Sequence, residues 1–238
     1  MNHRSSAVML LLSAAPLHAQ TTEEIVARNI AARGGAERLH AVQTQRLVGQ
    51  ISFGGDPGGR FVVELKRPGK MRNELAVQGQ TIIQATDGAK GWVVNPLNGN
   101  SEPQPLSTEV LHNLAGGADF EGPLLDHGRK GNTLQLLGKV EVEGRAAWKL
   151  KVTLPDSTVR YDYIDAESYL EDKWEGTLRN NGREFAVETF FHDYRAVEGV
   201  MISFLLNSDT PGTSATQRIV FDSAAVNLPI ADERFESP

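Results

Sequence analysis

Hydrophobic and polar residues alternate in steps of two over most of the chain between Thr44 and Leu228. Phe61, Val63 and Leu65, for example, are spaced to share one face of an extended segment. Because successive side chains of a β-strand point to opposite faces of the sheet, this period predicts strands. Short glycine-containing turns separate the segments, so we expect about a dozen antiparallel strands.

A helix is predicted before the first strand. Thr21 and Glu24 have the spacing of a capping box, in which each side chain accepts a hydrogen bond from the other residue's backbone. Val26 and Ile30 lie four residues apart and start an apolar stripe, and Gly34–Gly35 provides a stop signal. The pattern therefore predicts an amphipathic helix that ends near residue 33.

The strand pattern is interrupted by one apolar helical insert at residues 107–126. Ser107 is a suitable N-cap, and Gly116–Gly117 predicts the end of the helix. A large sheet needs an apolar cover for its inner face, so we expect the insert to cover the concave face, either as a mobile lid or as a permanent plug. The covering residues are expected to be Val110, Leu111, Leu114, Phe120, Leu124 and Leu125.

Beneath the insert we expect a hydrophobic cavity that binds an apolar ligand. For each aromatic ring taken alone, ordinary core packing is the alternative interpretation. The charged residues Glu64 and Lys66 alternate with apolar ones and are expected to face water. The sheet residues expected to line the cavity are Phe61, Val63, Leu65, Met71, Leu75, Trp92 and Trp148.

The first 19 residues have the features of a secretory signal peptide. Arg4 supplies a positive charge, Ala7–Ala15 is apolar, and Ala19–Gln20 is an acceptable cleavage site. The apolar run is far shorter than the roughly 20 residues needed to span a bilayer, which argues against the alternative of a membrane anchor. We therefore divide the chain into a signal peptide at 1–19 and a single domain at 20–238, located in the periplasm.

Composition limits the possible partners. The chain contains no cysteine, so it lacks the residue that receives the lipid in a bacterial lipoprotein, and it cannot form disulfides. Loss of residues 1–19 would remove Arg4 and no acidic residue, leaving 23 basic against 30 acidic residues. A net negative charge does not suit nucleic acids or anionic membranes, so we expect neither as the main partner.

Catalytic and metal-binding patterns are weak. His192 and Asp193 are adjacent, and neighbours in a strand point to opposite faces, so they are not expected to act as a base and its orienting carboxylate. The histidines share no ligand spacing. The loop 212–216 lacks the final glycine of a hydrolase nucleophile elbow. We expect no catalytic residues, no metal site and no cofactor.

Three segments, 138–144, 148–152 and 159–165, together resemble the central hairpins of the outer-membrane lipoprotein-sorting family, the LolA-like periplasmic carriers. Segments 25–42, 193–204 and 227–235 are similar to that family as well. The resemblance implies a mainly β fold with helices (α+β), a half-open antiparallel β-barrel whose helices act as a lid over bound acyl chains. It also implies an arginine inside the cavity that holds the lid, for which the candidates are Arg46, Arg60 and Arg72.

These patterns lead to a functional hypothesis and two alternatives. The main hypothesis is a soluble, monomeric periplasmic carrier of lipid or lipoprotein acyl chains, with envelope membrane proteins as donor or acceptor. The first alternative is an envelope sensor or assembly module that binds a protein partner through the same fold, at an exposed apolar edge and with a filled interior. The second is a secreted hydrolase, which needs a nucleophile and a base in one pocket.

Overall fold

The computed structural model describes residues 20–238, and the predicted signal peptide at 1–19 lies outside the described residues. The strands form one antiparallel sheet, accompanied by helices α1, α2 and α3. The helices are α1 (Thr22–Ala32), α2 (Ala36–Ala41) and α3 (Thr108–Ala118), with short 3-10 helices at Pro96–Asn98 and Asp232–Arg234. The strands are β1 (Thr44–Phe53), β2 (Asp56–Lys66), β3 (Lys70–Val77), β4 (Gln80–Thr86), β5 (Gly91–Asn95), β6 (Asn100–Pro105), β7 (Thr133–Val142), β8 (Arg145–Thr153), β9 (Val159–Asp165), β10 (Glu171–Asn180), β11 (Arg183–Val197), β12 (Val200–Asp209) and β13 (Thr216–Val226).

The order of the strands explains why the insert between β6 and β7 crosses the concave face of the sheet. The strand order is β6-β5-β4-β3-β2-β1-β13-β12-β11-β10-β9-β8-β7, so the first and last strands pair at the centre and β6 and β7 are the two edges. The connection between β6 and β7, residues 106–132, therefore runs from one edge of the sheet to the other. Because the edges do not pair, the sheet is open. The expected fold class, a half-open antiparallel barrel with helices, is confirmed.

Helix α1 forms as its sequence predicts. Glu24 and Thr21 make both hydrogen bonds of the capping box, with 3.0 Å from the Thr21 amide to the Glu24 carboxylate. Ile25 and Val26 are buried against the sheet. The helix ends at Arg33 and Gly34, whose positive φ of 118° is accessible to glycine.

Helix α3 does not end at Gly116–Gly117, so that prediction was wrong. It continues to Ala118, and both glycines lie inside it. A Cβ at Gly117 would lie 3.2 Å from the Met71 sulfur. The glycine at 117 therefore allows α3 to pack closely on β3. The glycine pair does not end the helix here, although such a pair often does. The segment after α3, at 119–131, consists of turns.

One further expectation about the strands was wrong, and one strand has an unusual composition. The segment 100–105, which contains two prolines, is the edge strand β6, which pairs with β5. Two prolines are tolerated there because an edge strand leaves one side without ladder hydrogen bonds. Glu64 and Lys66 were expected to face water, yet Glu64 is 4% exposed. The C-terminal segment covers this outer face, where Arg234 bonds Glu64 at 2.6 Å and Lys66 donates to the Ile230 carbonyl.

The inner face carries two large apolar clusters. One lies between α1 and strands β8 and β9, and it includes Ile25, Leu150 and Ile164, all fully buried. The other lies on β1, β2, β12 and β13, together with Leu39 of α2 and Leu125 of the insert. No helix among residues 20–238 has both the length and the apolar character needed to cross a membrane.

Candidate functional site: a cavity under the helices

A cavity of about 480 Å³ lies between the inner face of the sheet and the helices. Its volume falls in the range of roughly 300–1,000 Å³ that is typical of small-molecule sites. The walls come from β1, β2, β3, β9, β10, β11, β12 and β13, and α1, α2 and the insert form the cover. Most of the lining surface is apolar. The apolar part of the wall includes Leu47, Phe61, Val63, Leu65, Met71, Phe191, Ile202, Leu206, Ile219 and Phe221.

Four of the seven predicted sheet residues line this cavity: Phe61, Val63, Leu65 and Met71. Leu75 packs against the same apolar cluster without reaching the cavity. Trp148 lies on the inner face but packs in the cluster beneath α1. These placements follow from the period of two in β2 and β3, whose odd-numbered residues point inward.

Trp92 is on the opposite face of the sheet, so its predicted place under the insert was wrong. It pairs with Ala85, which pairs with Arg72, and all three point outward. The indole nitrogen of Trp92 donates a hydrogen bond of 3.0 Å to the Phe235 carbonyl. Trp92 is therefore part of the packing between the sheet and the C-terminal segment.

The six predicted covering residues differ in how close they lie to the cavity. Phe120 and Leu124 line the cavity, and Leu125 is buried in the apolar cluster beside it. Leu114 of α3 is buried, at 8% exposure. The remaining residues, Val110 and Leu111, are half-buried and do not reach the cavity. The cavity is thus closed by residues 117–124, while the first two turns of α3 lie beside it.

A set of basic residues fixes the segment 119–126. Arg33 of α1 donates to the carbonyls of Glu121, at 2.5 Å, and Phe120, at 3.2 Å. Arg67 pairs with the Glu121 carboxylate, whose side chain is 5% exposed. Lys130 pairs with Asp119 at 2.6 Å. The pKa of the Glu121 carboxyl is lowered because the hydrogen bond and charge of Arg67 outweigh the effect of burial.

Arg33 lines the cavity and contacts the insert, and it was not among the arginines selected from the sequence. The three candidates, Arg46, Arg60 and Arg72, are not among the residues that line the cavity. Arg46 bonds Glu64 at 3.1 Å and Arg72 bonds Glu74 at 2.6 Å, both on the outer face. Arg33 directly follows the predicted helix and lies four residues after Asn29, so both residues are on the same side of the helix. This spacing is the sequence signal that could have placed Arg33 over the cavity.

One end of the cavity is polar, which the sequence patterns did not predict. Arg160 bonds Asp162 at 2.6 Å and Glu171 at 3.0 Å, and its guanidinium lies 4.7 Å from the centre of the Trp174 ring. Burial raises the pKa of Glu171 to about 7, and the charge of Asp162 adds to this, whereas Arg160 and Arg33 partly oppose it. Burial raises the pKa of Asp162 as well.

Two sequence features could have indicated this polar end. Asn29 lies four residues after Ile25, so it interrupts the buried stripe of α1 with an amide. Arg160 and Asp162 share one face of β9 with the fully buried Ile164. Charged residues on the apolar face of a strand are unusual unless they are paired, and here they pair with each other.

His192 and Asp193, which the sequence set aside as a catalytic pair, have separate partners. His192 lies 3.7 Å from Glu143, and Asp193 pairs with Arg195 at 2.6 Å. Residues 20–238 contain no group of three or more His, Asp or Glu side chains that could hold a metal ion.

Solved structures with the same fold come from several bacteria. A LolA superfamily protein from Nitrosomonas europaea is 15% identical, covers 92% of this chain and 98% of its own, and has a TM-score of 0.59. A DUF1329 family protein from Desulfovibrio piger is 12% identical over 90% of this chain and 96% of its own, with the same TM-score of 0.59. An outer membrane lipoprotein-sorting protein domain from Vibrio parahaemolyticus is 12% identical over 89% and 94%, with a TM-score of 0.57.

The chain therefore has a LolA-like fold, as its resemblance to that family implied. No protein-family model and no curated protein matches its sequence.

Proposed function

We propose that the protein is a periplasmic carrier that binds an acyl chain of a lipid or lipoprotein in the cavity. The observation that carries this proposal is the 480 Å³ cavity with its apolar wall. Each methylene group that leaves water for such a wall contributes about 0.8 kcal/mol, so a long acyl chain can bind without specific polar contacts. The fold shared with an outer membrane lipoprotein-sorting protein domain supports the same function.

The insert has two parts with different roles in this proposal. Residues 119–126 act as the plug, because Arg33, Arg67 and Lys130 hold them and Leu124 and Leu125 are buried at 3% and 1%. Helix α3, which reaches the cavity only through Gly117 in its last turn, acts as the mobile part of the insert. Its polar contacts are exposed ones: Asn113 donates to the Arg179 carbonyl at 2.8 Å, the Gly182 amide donates to Glu109 at 3.1 Å, and His112 lies 3.3 Å from Asp156.

Binding can be tested with two matched tryptophan variants on β12. Leu206 lines the cavity, whereas its neighbour Leu205 does not. Leu206→Trp should fill part of the cavity and weaken uptake of a fluorescent fatty-acyl probe, while Leu205→Trp should leave uptake unchanged. Thermal melts of both variants confirm folding. Equal uptake by both folded variants would place the probe outside the cavity.

To identify the natural cargo, the protein must be purified from its own periplasm. Native mass spectrometry and lipid extraction should show a co-purifying acyl chain, which is absent from the Leu206→Trp variant purified in the same way. If the wild-type protein carries no lipid and takes up no probe, the carrier function is wrong.

One observation supports the alternative function, a module that binds a protein partner. The edge strand β7 exposes Leu137 and Val140, at 46% and 37%. That hypothesis also requires a filled interior, and the cavity argues against it. A protein captured by the wild-type chain but not by a Leu137→Lys variant, together with no lipid uptake, would favour the module over the carrier.

A further inference from the structure

The polar end of the cavity contains two acids and two bases. Asp162 and Glu171 are held by Arg160, as described above, and the charge of Arg33, which follows α1, also acts to lower the pKa of Glu171. All of these side chains except Arg160 line the cavity. With both carboxylates charged, two negative and two positive groups face one another. This end of the cavity therefore has little net charge.

Among residues 20–238, the fully buried polar atoms that lack a partner at this end are acceptors. Asp162 is fully buried, and Arg160 occupies its Oδ1 while its Oδ2 has no partner within the described residues. Asn29 is 1% exposed and donates its amide to the Tyr169 carbonyl at 2.8 Å, so its Oδ1 is an acceptor, and it has no partner in the part of the chain that the structure describes. Both residues line the cavity. Buried polar groups in native proteins normally have partners, so these two oxygens mark a place for a donor.

Both arginines at this end already donate two hydrogen bonds to protein groups. Arg160 donates to Asp162 and Glu171 and lies over the Trp174 ring. Arg33 donates to the carbonyls of Phe120 and Glu121. A carboxylate or phosphate headgroup would meet two unpartnered acceptor oxygens and arginines that are bound to other groups. An anionic headgroup is therefore disfavoured here.

We propose that the cavity binds a single-chain lipid with an uncharged, hydroxyl-bearing headgroup, whose hydroxyls donate to Asp162 Oδ2 and Asn29 Oδ1. The acyl chain then lies along the apolar wall that includes Phe61, Val63 and Met71. This inference rests on the proposed carrier function and specifies its ligand. A neutral headgroup fits because the four surrounding charges balance, and a donor fits because both free atoms are acceptors.

The test compares three lipids with the same chain: 1-monopalmitoylglycerol, palmitate and palmitylamine. Each displaces a fluorescent acyl probe from the mature protein at pH 8, above the pKa of about 7 of Glu171. Monopalmitoylglycerol should bind about tenfold more tightly than palmitate, the ratio expected for roughly one net hydrogen bond. Equal affinities for the two overturn the headgroup proposal and leave the carrier standing. Tighter binding of palmitylamine overturns the neutral headgroup in favour of a cationic one. Failure of every lipid and of the probe itself overturns the carrier.

Asp162→Asn provides the residue-level test. It replaces the free carboxylate oxygen by an amide that can donate, so the preference for monopalmitoylglycerol over palmitate should disappear. Asp172→Asn is the matched control, because Asp172 is also buried, bonds Arg145 at 2.7 Å and has an unpartnered Oδ2, but does not line the cavity. Unchanged preference in Asp162→Asn contradicts the proposal. If that variant does not fold, Asn29→Leu removes the second acceptor and should reduce the preference in the same direction.

Discussion

The concave face of the sheet is solid over β8 and the adjoining part of β9, beneath α1, and hollow over β1 to β3 and β10 to β13. In the solid region, Ile25 and Val26 of α1 pack directly on Leu150, Val152 and Ile164, and none of these five residues is more than 5% exposed. In the hollow region, α2 and the segment 117–124 stand over the sheet and leave 480 Å³ between them. Both regions contain a strand with inward-facing apolar residues at every second position, Phe61, Val63 and Leu65 in β2 and Trp148, Leu150 and Val152 in β8.

The difference shows that the cover, and not the strand pattern, decides where a cavity forms. Helix α1 presents branched apolar side chains to β8 and β9, and these fill the space. Over β1 to β3 the cover is the segment 119–126. Polar side chains such as Arg33 hold this segment above the sheet by bonding its carbonyls. Polar anchoring can therefore preserve a space that direct apolar packing would remove.

The largest contrast is expected from removing one leucine in each region. Leu150→Ala should lower the free energy of unfolding by about 3 kcal/mol, because Leu150 is fully buried and the neighbours cannot fill the gap. Leu206→Ala should cost only about 1 kcal/mol, since one side of Leu206 already faces the cavity. Urea denaturation measures both values. Similar losses would mean that the hollow region is packed as tightly as the solid one.

The charges at the polar end should make stability depend on pH. The folded state holds a proton on Glu171 up to a pKa of about 7, whereas the unfolded chain releases it near 4.5. Between these values the folded state binds more protons, so stability falls as pH rises, by at most about 3 kcal/mol in total. Denaturation of wild type and Glu171→Gln at pH 5 and pH 8 isolates this contribution. The wild type should lose more stability than the variant, and parallel pH profiles would contradict the assignment.

Leu114→Asp tests whether α3 is a lid. Leu114 is one of the two buried residues of α3. If α3 is a mobile cover, the variant should release the acyl probe about tenfold faster, because roughly 1.4 kcal/mol of its packing is lost, while its melting temperature falls less than that of Leu150→Ala. The glycine at 117 packs on Met71 and is left unchanged. An unfolded Leu114→Asp protein would make the helix a permanent plug.

The smallest expected difference is in the amide exchange rates of the two parts of the insert, α3 and the segment 119–126, and hydrogen exchange should resolve it. Amides of α3 should exchange faster than those of α1, because a cover that opens belongs to the low-stability part of the fold. Arg33→Lys, which cannot form the same two-pronged contact with the carbonyls of Phe120 and Glu121, should raise exchange in the segment 119–126 and leave α1 little changed. Uniform protection throughout the insert would argue against two separate parts.

The pattern of single residues determined the secondary structure and the class of fold. The capping box of Thr21 and Glu24 formed as expected, and the period of two placed Phe61, Val63, Leu65 and Met71 on the inner face. These predictions succeed because they depend on helix and strand periods, which act over a few neighbouring residues. The resemblance to LolA-like carriers added the half-open shape.

Tertiary structure alone decided which face and which cover each strand received. Trp92 points outward because β5 joins β4 through a turn whose register the sequence does not reveal, and a shift of one residue reverses every side chain. Glu64 is buried because the C-terminal segment, 170 residues away along the chain, brings Arg234 to it. The polar end of the cavity likewise joins α1 with β9 and β10. Such contacts between distant segments depend on the pairing of β1 with β13 and on the path of the insert, neither of which leaves a local pattern.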